Sequence, residues 1–198
     1  MAAESDMLKT LRGSGALKDG HFLLSSGRHS DRYVEKFDLL RDPVATSAAC
    51  AMIAGRFRED EIDVVVGPTT GGIILAFEIA RQMGTGAAYA ERAEGSGTAR
   101  EFRRGTTFAA GSRVLVVDDI LTTGGSVQET LDALQPHPVE VVAAAVLVDR
   151  ASEGIDLGVP LVSLVQMEIA TWEPAACPFC AQGVPLTKPG TTPGVSKR

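Results

Sequence analysis

Arg113-Val114-Leu115-Val116-Val117-Asp118-Asp119-Ile120-Leu121-Thr122-Thr123-Gly124-Gly125-Ser126 is the stretch that decides the fold. Val114 to Val117 is an unbroken apolar, mostly β-branched run, as expected of a strand buried on both faces of a parallel sheet. Two adjacent carboxylates end it. Beyond the Thr/Gly/Ser loop, Val127, Leu131 and Leu134 repeat at i, i+4 and i+7, which predicts a helix. Ser126 and Glu129 have the S-x-x-E spacing of a capping box, placing the helix start near Ser126. Gly124 and Gly125 allow a sharp turn and a close approach of backbone N–H groups to an anion, and a helix N-terminus favours phosphate. Thr122, Thr123 and Ser126 add hydroxyl donors. Asp118 and Asp119 fall at the carboxyl end of the strand, where open α/β sheets bind ligands. Ionised, they only accept hydrogen bonds and so match sugar hydroxyls. Acceptors for a diol beside donors for a phosphate suit a phosphorylated ribose.

A second strand-loop-helix unit lies upstream, in Asp63-Val64-Val65-Val66-Gly67-Pro68-Thr69-Thr70-Gly71-Gly72-Ile73. Gly67 and Gly72 have the outer spacing of a nucleotide-binding P-loop, but Ile73 and Ile74 stand where that motif needs Lys and Ser or Thr. Thr69, Thr70, Gly71 and Gly72 remain as donors for a second anion. Elsewhere, 41–58 reads as a helix, 72–83 as an apolar helix ending at Gly84, and 87–90, 141–148 and 161–165 as strands. The alternation predicts an α/β fold with a doubly wound, mainly parallel sheet flanked by helices. Between the units, the polar stretch 91–111 carries Arg92, Arg100, Arg103 and Arg104 around Gly95-Ser96-Gly97, and its composition predicts a mobile loop. In that loop Arg100 alone reads as a solvated surface residue.

Composition bounds the rest. The chain has 198 residues, 44% of them hydrophobic and 22% charged, with a net charge of −6, which gives no electrostatic footprint for nucleic acid. Cys50, Cys177 and Cys180 suggest a reducing compartment rather than a disulfide framework. Met1 to Gly20 lacks the apolar core of a secretory signal, and the longest apolar run, Val141 to Val148, is too short to span a membrane. Cytoplasmic localisation follows as an expectation. After Trp172 the chain holds five of its ten prolines, and 173–198 reads as an irregular, partly flexible tail. Cys177-Pro178-Phe179-Cys180 supplies two ligands where a structural zinc site wants four. Cys50 and the three histidines sit at no recognised spacing to them, so plain packing is the simplest reading, ahead of zinc and of redox catalysis; His21 and His29 read as turn hydrogen bonding.

The 113–126 segment resembles the phosphoribosyl-pyrophosphate motif of type I phosphoribosyltransferases. Two further segments narrow the resemblance to the orotate phosphoribosyltransferase family: Gly20-His21-Phe22-Leu23-Leu24-Ser25-Ser26-Gly27-Arg28-His29-Ser30 followed by Tyr33, and Val148-Asp149-Arg150. The tail, from Trp172 to Cys180, and Arg103-Arg104-Gly105 resemble a variant bacterial branch of that family. The resemblance implies transfer of phosphoribosyl from phosphoribosyl pyrophosphate to orotate in pyrimidine (UMP) biosynthesis. It also implies an oxocarbenium-like transition state without a covalent intermediate, Mg²⁺ carried by the substrate rather than held by protein ligands, and a homodimer. It assigns phosphoribosyl pyrophosphate to Asp118, Asp119, Ile120, Leu121, Thr122, Thr123, Gly124, Gly125 and Ser126, to Thr69, Thr70, Gly71 and Gly72 for the pyrophosphate, and to Arg92. Orotate falls to Thr122, Arg150, Tyr33 and Lys36; catalysis falls to Asp118, Asp119 and Arg92. The implied domain spans 1–172, with a base-binding hood over 1–40 and an α/β core over 41–172, followed by the tail at 173–198.

The chain departs from the best-known family pattern in its cations. Ser25 and Gly71 stand where lysines are usual, and 91–111 has neither lysine nor histidine. Lys36 and the loop arginines are the cations left to compensate. Two other readings stay open: a phosphoribosyltransferase for another base, and a non-catalytic regulator that senses phosphoribosyl pyrophosphate.

Overall fold

The structure, a computed structural model, describes residues 2–95, 97–151 and 154–189. Helix α1 (Ala2–Gly13) buries Met7 and Leu11, which lie one turn apart. An antiparallel hairpin follows, β1 (Leu17–Leu23) and β2 (His29–Val34), then the short α2 (Lys36–Leu40). Asp42 begins α3 (Pro43–Arg56) by accepting the N–H groups of Val44 and Ala45 at 3.0 Å, an N-cap with proline in the first turn, where its missing N–H costs nothing.

The core alternates as expected: β3 (Val64–Pro68), α4 (Gly71–Met83), β4 (Gly86–Arg92), β5 (Arg100–Glu101), β6 (Ser112–Leu121), α5 (Gly125–Leu134), β7 (Val139–Asp149) and β8 (Leu161–Gln166). Gly84, with φ of 73°, closes α4 in the left-handed conformation that glycine adopts without strain. The six strands lie in the order β5-β4-β3-β6-β7-β8, parallel except for the β4–β5 pair. From β3 the chain winds one way to β4; from β6 it winds the other way to β7 and β8. The boundary between β3 and β6 is therefore the switch point at which doubly wound sheets open a crevice.

Period-two alternation in β6 splits its side chains between two cores. Leu115 and Val117 join the large cluster under α1, α3 and α4; Val114 and Val116 join the smaller one under α5. A strand lined on both faces leaves no solvated side, which is why its sequence is uninterrupted.

The tail is more ordered than its prolines suggest. Strand β9 (Thr171–Trp172) pairs with β2, completing a three-stranded sheet in the order β1-β2-β9. A 3₁₀ turn (Pro174–Ala176) and α6 (Pro178–Ala181) follow, and Thr187 then bridges to Phe22 on the far edge of β1. The described tail thus frames the N-terminal hairpin on both sides, while the part of the tail reading at 190–198 lies outside the described residues. Among the described residues no helix is long and apolar enough to cross a membrane.

Candidate active site

The carboxyl ends of β3 and β6 each feed a glycine-containing turn into a helix. At β6 the expected capping box does not form. Ser126 Oγ instead donates to Asp118 Oδ2 at 2.6 Å, and Glu129 accepts from Arg100 Nε at 3.0 Å. The helix begins one residue earlier, at Gly125, with Gly124 at φ 76° and no side-chain cap. Only glycine holds that φ without strain, and a Cβ there would also lie 3.1 Å from Ile155 Cγ2. The first-turn N–H groups of α5 are thereby left to face the crevice. The α4 N-terminus, after Thr70, also lacks a side-chain cap. Two uncapped helix starts side by side present two sets of N–H donors of the kind that favours anions.

The two turns touch. A Cβ on Gly71 would lie 1.9 Å from Asp119 Oδ2, and one on Gly72 would lie 2.6 Å from Pro68 Cδ. Glycine at 71 is what lets the loop after β3 close onto the acids of β6, and no side chain fits there. A cation reaches the spot from elsewhere: Lys36 Nζ, at the start of α2, lies 3.1 and 3.0 Å from the two oxygens of Asp119.

Asp118 and Asp119 are buried, with 5% and 3% exposure. Asp118 Oδ1 accepts the Asp119 N–H and Asp119 Oδ1 accepts the Ile120 N–H, both at 2.8 Å. Burial, with the neighbouring Asp119 carboxylate adding to it, pushes the Asp118 carboxyl up to about 6, against the pull of the Ser126 hydroxyl. Thr122 and Thr123 are exposed at the loop tip and face solvent rather than the core.

Arg150 reaches the same crevice through sheet pairing. Leu121 pairs with Asp149, and the Arg150 N–H donates to Leu121 O at 2.8 Å. Its Nε is buried and has no hydrogen-bond partner among the described residues. Burial lowers its pKa, with Tyr33 acting in the opposite direction. A desolvated guanidinium with a free donor is a ready-made receptor for a planar anion. Tyr33, on β2, packs against Phe22 with ring centroids 5.9 Å apart. Burial and Glu35 raise its pKa. Asp149, without an evident partner in the sequence, accepts the Ala151 N–H at 2.9 Å and shapes the turn.

The loop over 91–111 is in part a β arm: β4 pairs with β5 through Glu91–Glu101 and Arg92–Arg100. Arg92 is exposed and donates to Gly97 O at 3.3 Å. Arg103 pairs with Glu94 and Glu101, and Arg104 with Glu91, so both are neutralised within the arm. Ser96, part of the glycine string, lies outside the described residues. Arg100 differs from its expected surface role. Its side chain is 3% exposed, and it ties Glu129 of α5 to Thr69 Oγ1 (3.1 Å) and Ala90 O (3.3 Å). Sequence reasoning missed it because Glu129 was already assigned to a cap, and the residues beside it, Ala99 and Glu101, give no local signal of burial.

A doubly wound sheet with paired acids and two anion loops at its switch point is the architecture of a phosphoribosyl transferase domain, and the family model of that name matches residues 39–177. The orotate phosphoribosyltransferase of Caldicellulosiruptor bescii is 42% identical, over 93% of this chain and 95% of that relative. The enzyme of the same name from Pelotomaculum thermopropionicum is 43% identical, over 94% and 96%. The crystal structure of orotate phosphoribosyltransferase from Aeropyrum pernix matches with a TM-score of 0.69 at 33% identity, covering 84% of this chain and 94% of that one. The chain belongs to the phosphoribosyltransferase family, in its orotate phosphoribosyltransferase branch.

Proposed function

We propose that the chain transfers phosphoribosyl from phosphoribosyl pyrophosphate to orotate, giving orotidine 5′-phosphate and pyrophosphate. The observation that carries the choice of base is Arg150, a half-buried arginine whose buried Nε has no partner among the described residues, beside the phosphate loop. A base bearing a carboxylate needs such a cation; a purine does not.

In this reading the turn from Thr122 to Ser126 and the start of α5 hold the 5′-phosphate. Thr69, Thr70, Gly71 and Gly72 hold the pyrophosphate. Asp118 and Asp119 accept the ribose hydroxyls, with Ile120 and Leu121 setting their height in the strand. Orotate lies between Arg150 and Tyr33, with Thr122 as a further donor and Lys36 at the rim. Arg92, on the arm, meets the departing pyrophosphate. The C–O bond from C1′ to pyrophosphate breaks as the bond from C1′ to the pyrimidine nitrogen forms, and the proton of that ring N–H is released to solvent or to the departing pyrophosphate. The protein contributes position and preorganised charge rather than a covalent intermediate.

The crevice presents carboxylate and hydroxyl oxygens, the donors a hard cation prefers, and Asp119 is already engaged by Lys36. Magnesium brought by the substrate would fit beside these oxygens and would supply offsetting charge for the pyrophosphate, leaving Asp118 and Asp119 to accept the ribose hydroxyls. For a second copy of the chain, the support is an exposed apolar face: Ile73, Ile74 and Phe77 of α4 beside Leu40 and Pro43, with Phe77 63% exposed. A homodimer would cover it. The described cysteines are free thiols, in keeping with a cytoplasmic enzyme.

Mixing the protein with orotate, phosphoribosyl pyrophosphate and Mg²⁺ is expected to consume orotate absorbance and release pyrophosphate, with no turnover of adenine or hypoxanthine. Turnover of a purine without orotate activity would reject the base. Ligand binding without pyrophosphate release would favour a regulator.

The raised pKa of Asp118 gives a second test. The role of accepting ribose hydroxyls requires the ionised form, so kcat/KM for phosphoribosyl pyrophosphate should rise through an acidic limb near pH 6. Ser126→Ala removes the hydrogen bond that favours the carboxylate, so the limb should move to higher pH by about 1 unit, the worth of a charge-assisted bond of about 1.5 kcal/mol. A limb that stays in place contradicts the role. The linkage to stability has the matching sign. Between the ordinary carboxylate range and about 6 the folded chain holds this proton more tightly than the unfolded chain, so this group's contribution to stability falls as the pH rises through that window.

A further inference from the structure

The hood and the tail meet at a group of side chains that the transfer reaction does not use. His21 on β1, His29 on β2, and Cys177 and Cys180 around α6 place one ligand atom each within 4.8 Å of all the others. We infer that these four residues form a structural zinc site that clamps the tail onto the base-binding hairpin.

The distances are those of a coordination shell. His21 Nε2 lies 3.0 Å from His29 Nδ1, 3.4 Å from Cys177 Sγ and 3.7 Å from Cys180 Sγ; Cys180 Sγ lies 3.3 Å from His29 Nδ1. A tetrahedral zinc with ordinary bond lengths separates its ligands by about 3.4 Å between two nitrogens and about 3.6 Å between nitrogen and sulfur. These four of the six edges fall within a few tenths of an ångström of those values, and the other two are no longer than 4.8 Å, so the four atoms gather around one cation-sized point.

The histidine chemistry points the same way. His21 Nδ1 contacts Val184 O at 2.8 Å. A carbonyl can only accept, so Nδ1 carries the proton and the Nε2 lone pair is turned to the cluster. Tying down the distal imidazole nitrogen in this way is the usual outer-shell arrangement of a metal-bound histidine. Both histidines are buried, at 3% and 5% exposure, and Cys177 at 3%. The His21 ring stacks on Phe179 with centroids 5.6 Å apart, and Trp172 packs against the Phe179 ring at 5.8 Å, an apolar wall on one side of the cluster, while Cys180 closes it at the exposed surface.

Two thiolates and two imidazoles form the donor set that favours tetrahedral zinc over hard cations. The C-x-x-C spacing is the usual half of such a site. The other half was hidden in the sequence because Cys177 lies 156 residues from His21. Protein atoms supply all four positions, which marks a structural role rather than a catalytic one. Binding displaces the two thiol protons, so affinity should fall as the pH is lowered. The clamp holds the hairpin that presents Tyr33 and leads directly to Lys36.

The test uses the full chain. Protein produced in zinc-supplemented medium and dialysed into metal-free buffer should carry about one zinc per chain by elemental analysis. Cys50→Ser should keep that zinc, and Cys177→Ser/Cys180→Ser should lose it. Should the double variant fail to fold, wild-type protein stripped by a chelator and titrated with Co²⁺ gives an independent reading. A thiolate-to-cobalt charge-transfer band with intense tetrahedral visible bands, abolished by one equivalent of zinc, is the expected spectrum. A folded, reduced wild type that takes up no zinc and gives only the weak spectrum of octahedral cobalt would overturn the site. Full zinc content in the folded double variant would do the same.

Discussion

Asp119→Asn is expected to lower kcat/KM for phosphoribosyl pyrophosphate by about 10²-fold, roughly 2.7 kcal/mol of transition-state stabilisation, while the fold stays intact. The amide oxygen is close to isosteric with the carboxylate oxygen and can still accept the Ile120 N–H that Asp119 Oδ1 holds at 2.8 Å. What disappears is the negative charge that balances Lys36 at about hydrogen-bond distance and that the ribose hydroxyls would meet. Circular dichroism and thermal melting check the fold, and steady-state kinetics read the loss. Activity within a factor of two or so of wild type would remove this residue from the sugar site. Lys36→Met is the companion variant: it leaves the carboxylate in place, so a smaller loss there separates the acceptor from its counter-ion.

Arg150→Gln should have a comparable or larger effect, confined to the base. Truncating one member of a buried charge pair costs about 2–5 kcal/mol, so kcat/KM for orotate should fall by about 10²-fold or more. Uracil, the same ring without the carboxylate, supplies the control. If Arg150 acts on the carboxylate, the weak use of uracil should be nearly unchanged in the variant and the preference for orotate should collapse. Equal losses on both bases would mean that the side chain shapes the crevice rather than reading the substrate's carboxylate.

How legible the molecule was in its sequence depended on how local the deciding physics was. The strands at 114–117 and 64–66 declare themselves through uninterrupted apolar side chains, because each is buried on both faces by neighbours that any doubly wound sheet supplies. The glycines at 71 and 124 were legible as turn residues. Their stricter reasons, the contact with Asp119 and the left-handed φ, needed the fold. Ser126 and Glu129 misled because a local capping pattern lost to longer-range partners: Asp118 took the hydroxyl and Arg100 took the carboxylate. Arg100 itself looked like solvated loop, since nothing in its neighbours in sequence announces a salt bridge to a helix 29 residues on. The tail was the least legible part. Its prolines and glycines describe backbone preference, whereas its order comes from Thr171, Trp172 and Thr187 pairing with a hairpin well over a hundred residues upstream.

That framing has a consequence for how the protein is made. The contacts that complete the hairpin include one across 143 residues, from Arg28 to Thr171, and one across 163, from His21 to Val184. During translation, therefore, the first fifth of the polypeptide must wait for nearly all the rest to leave the ribosome before its sheet has a neighbour on either flank. Contacts of such high order close slowly, because the loop entropy is lost before the bonds are gained. The nascent chain can assemble its α/β centre early, and the N-terminal hairpin is the last part it can finish.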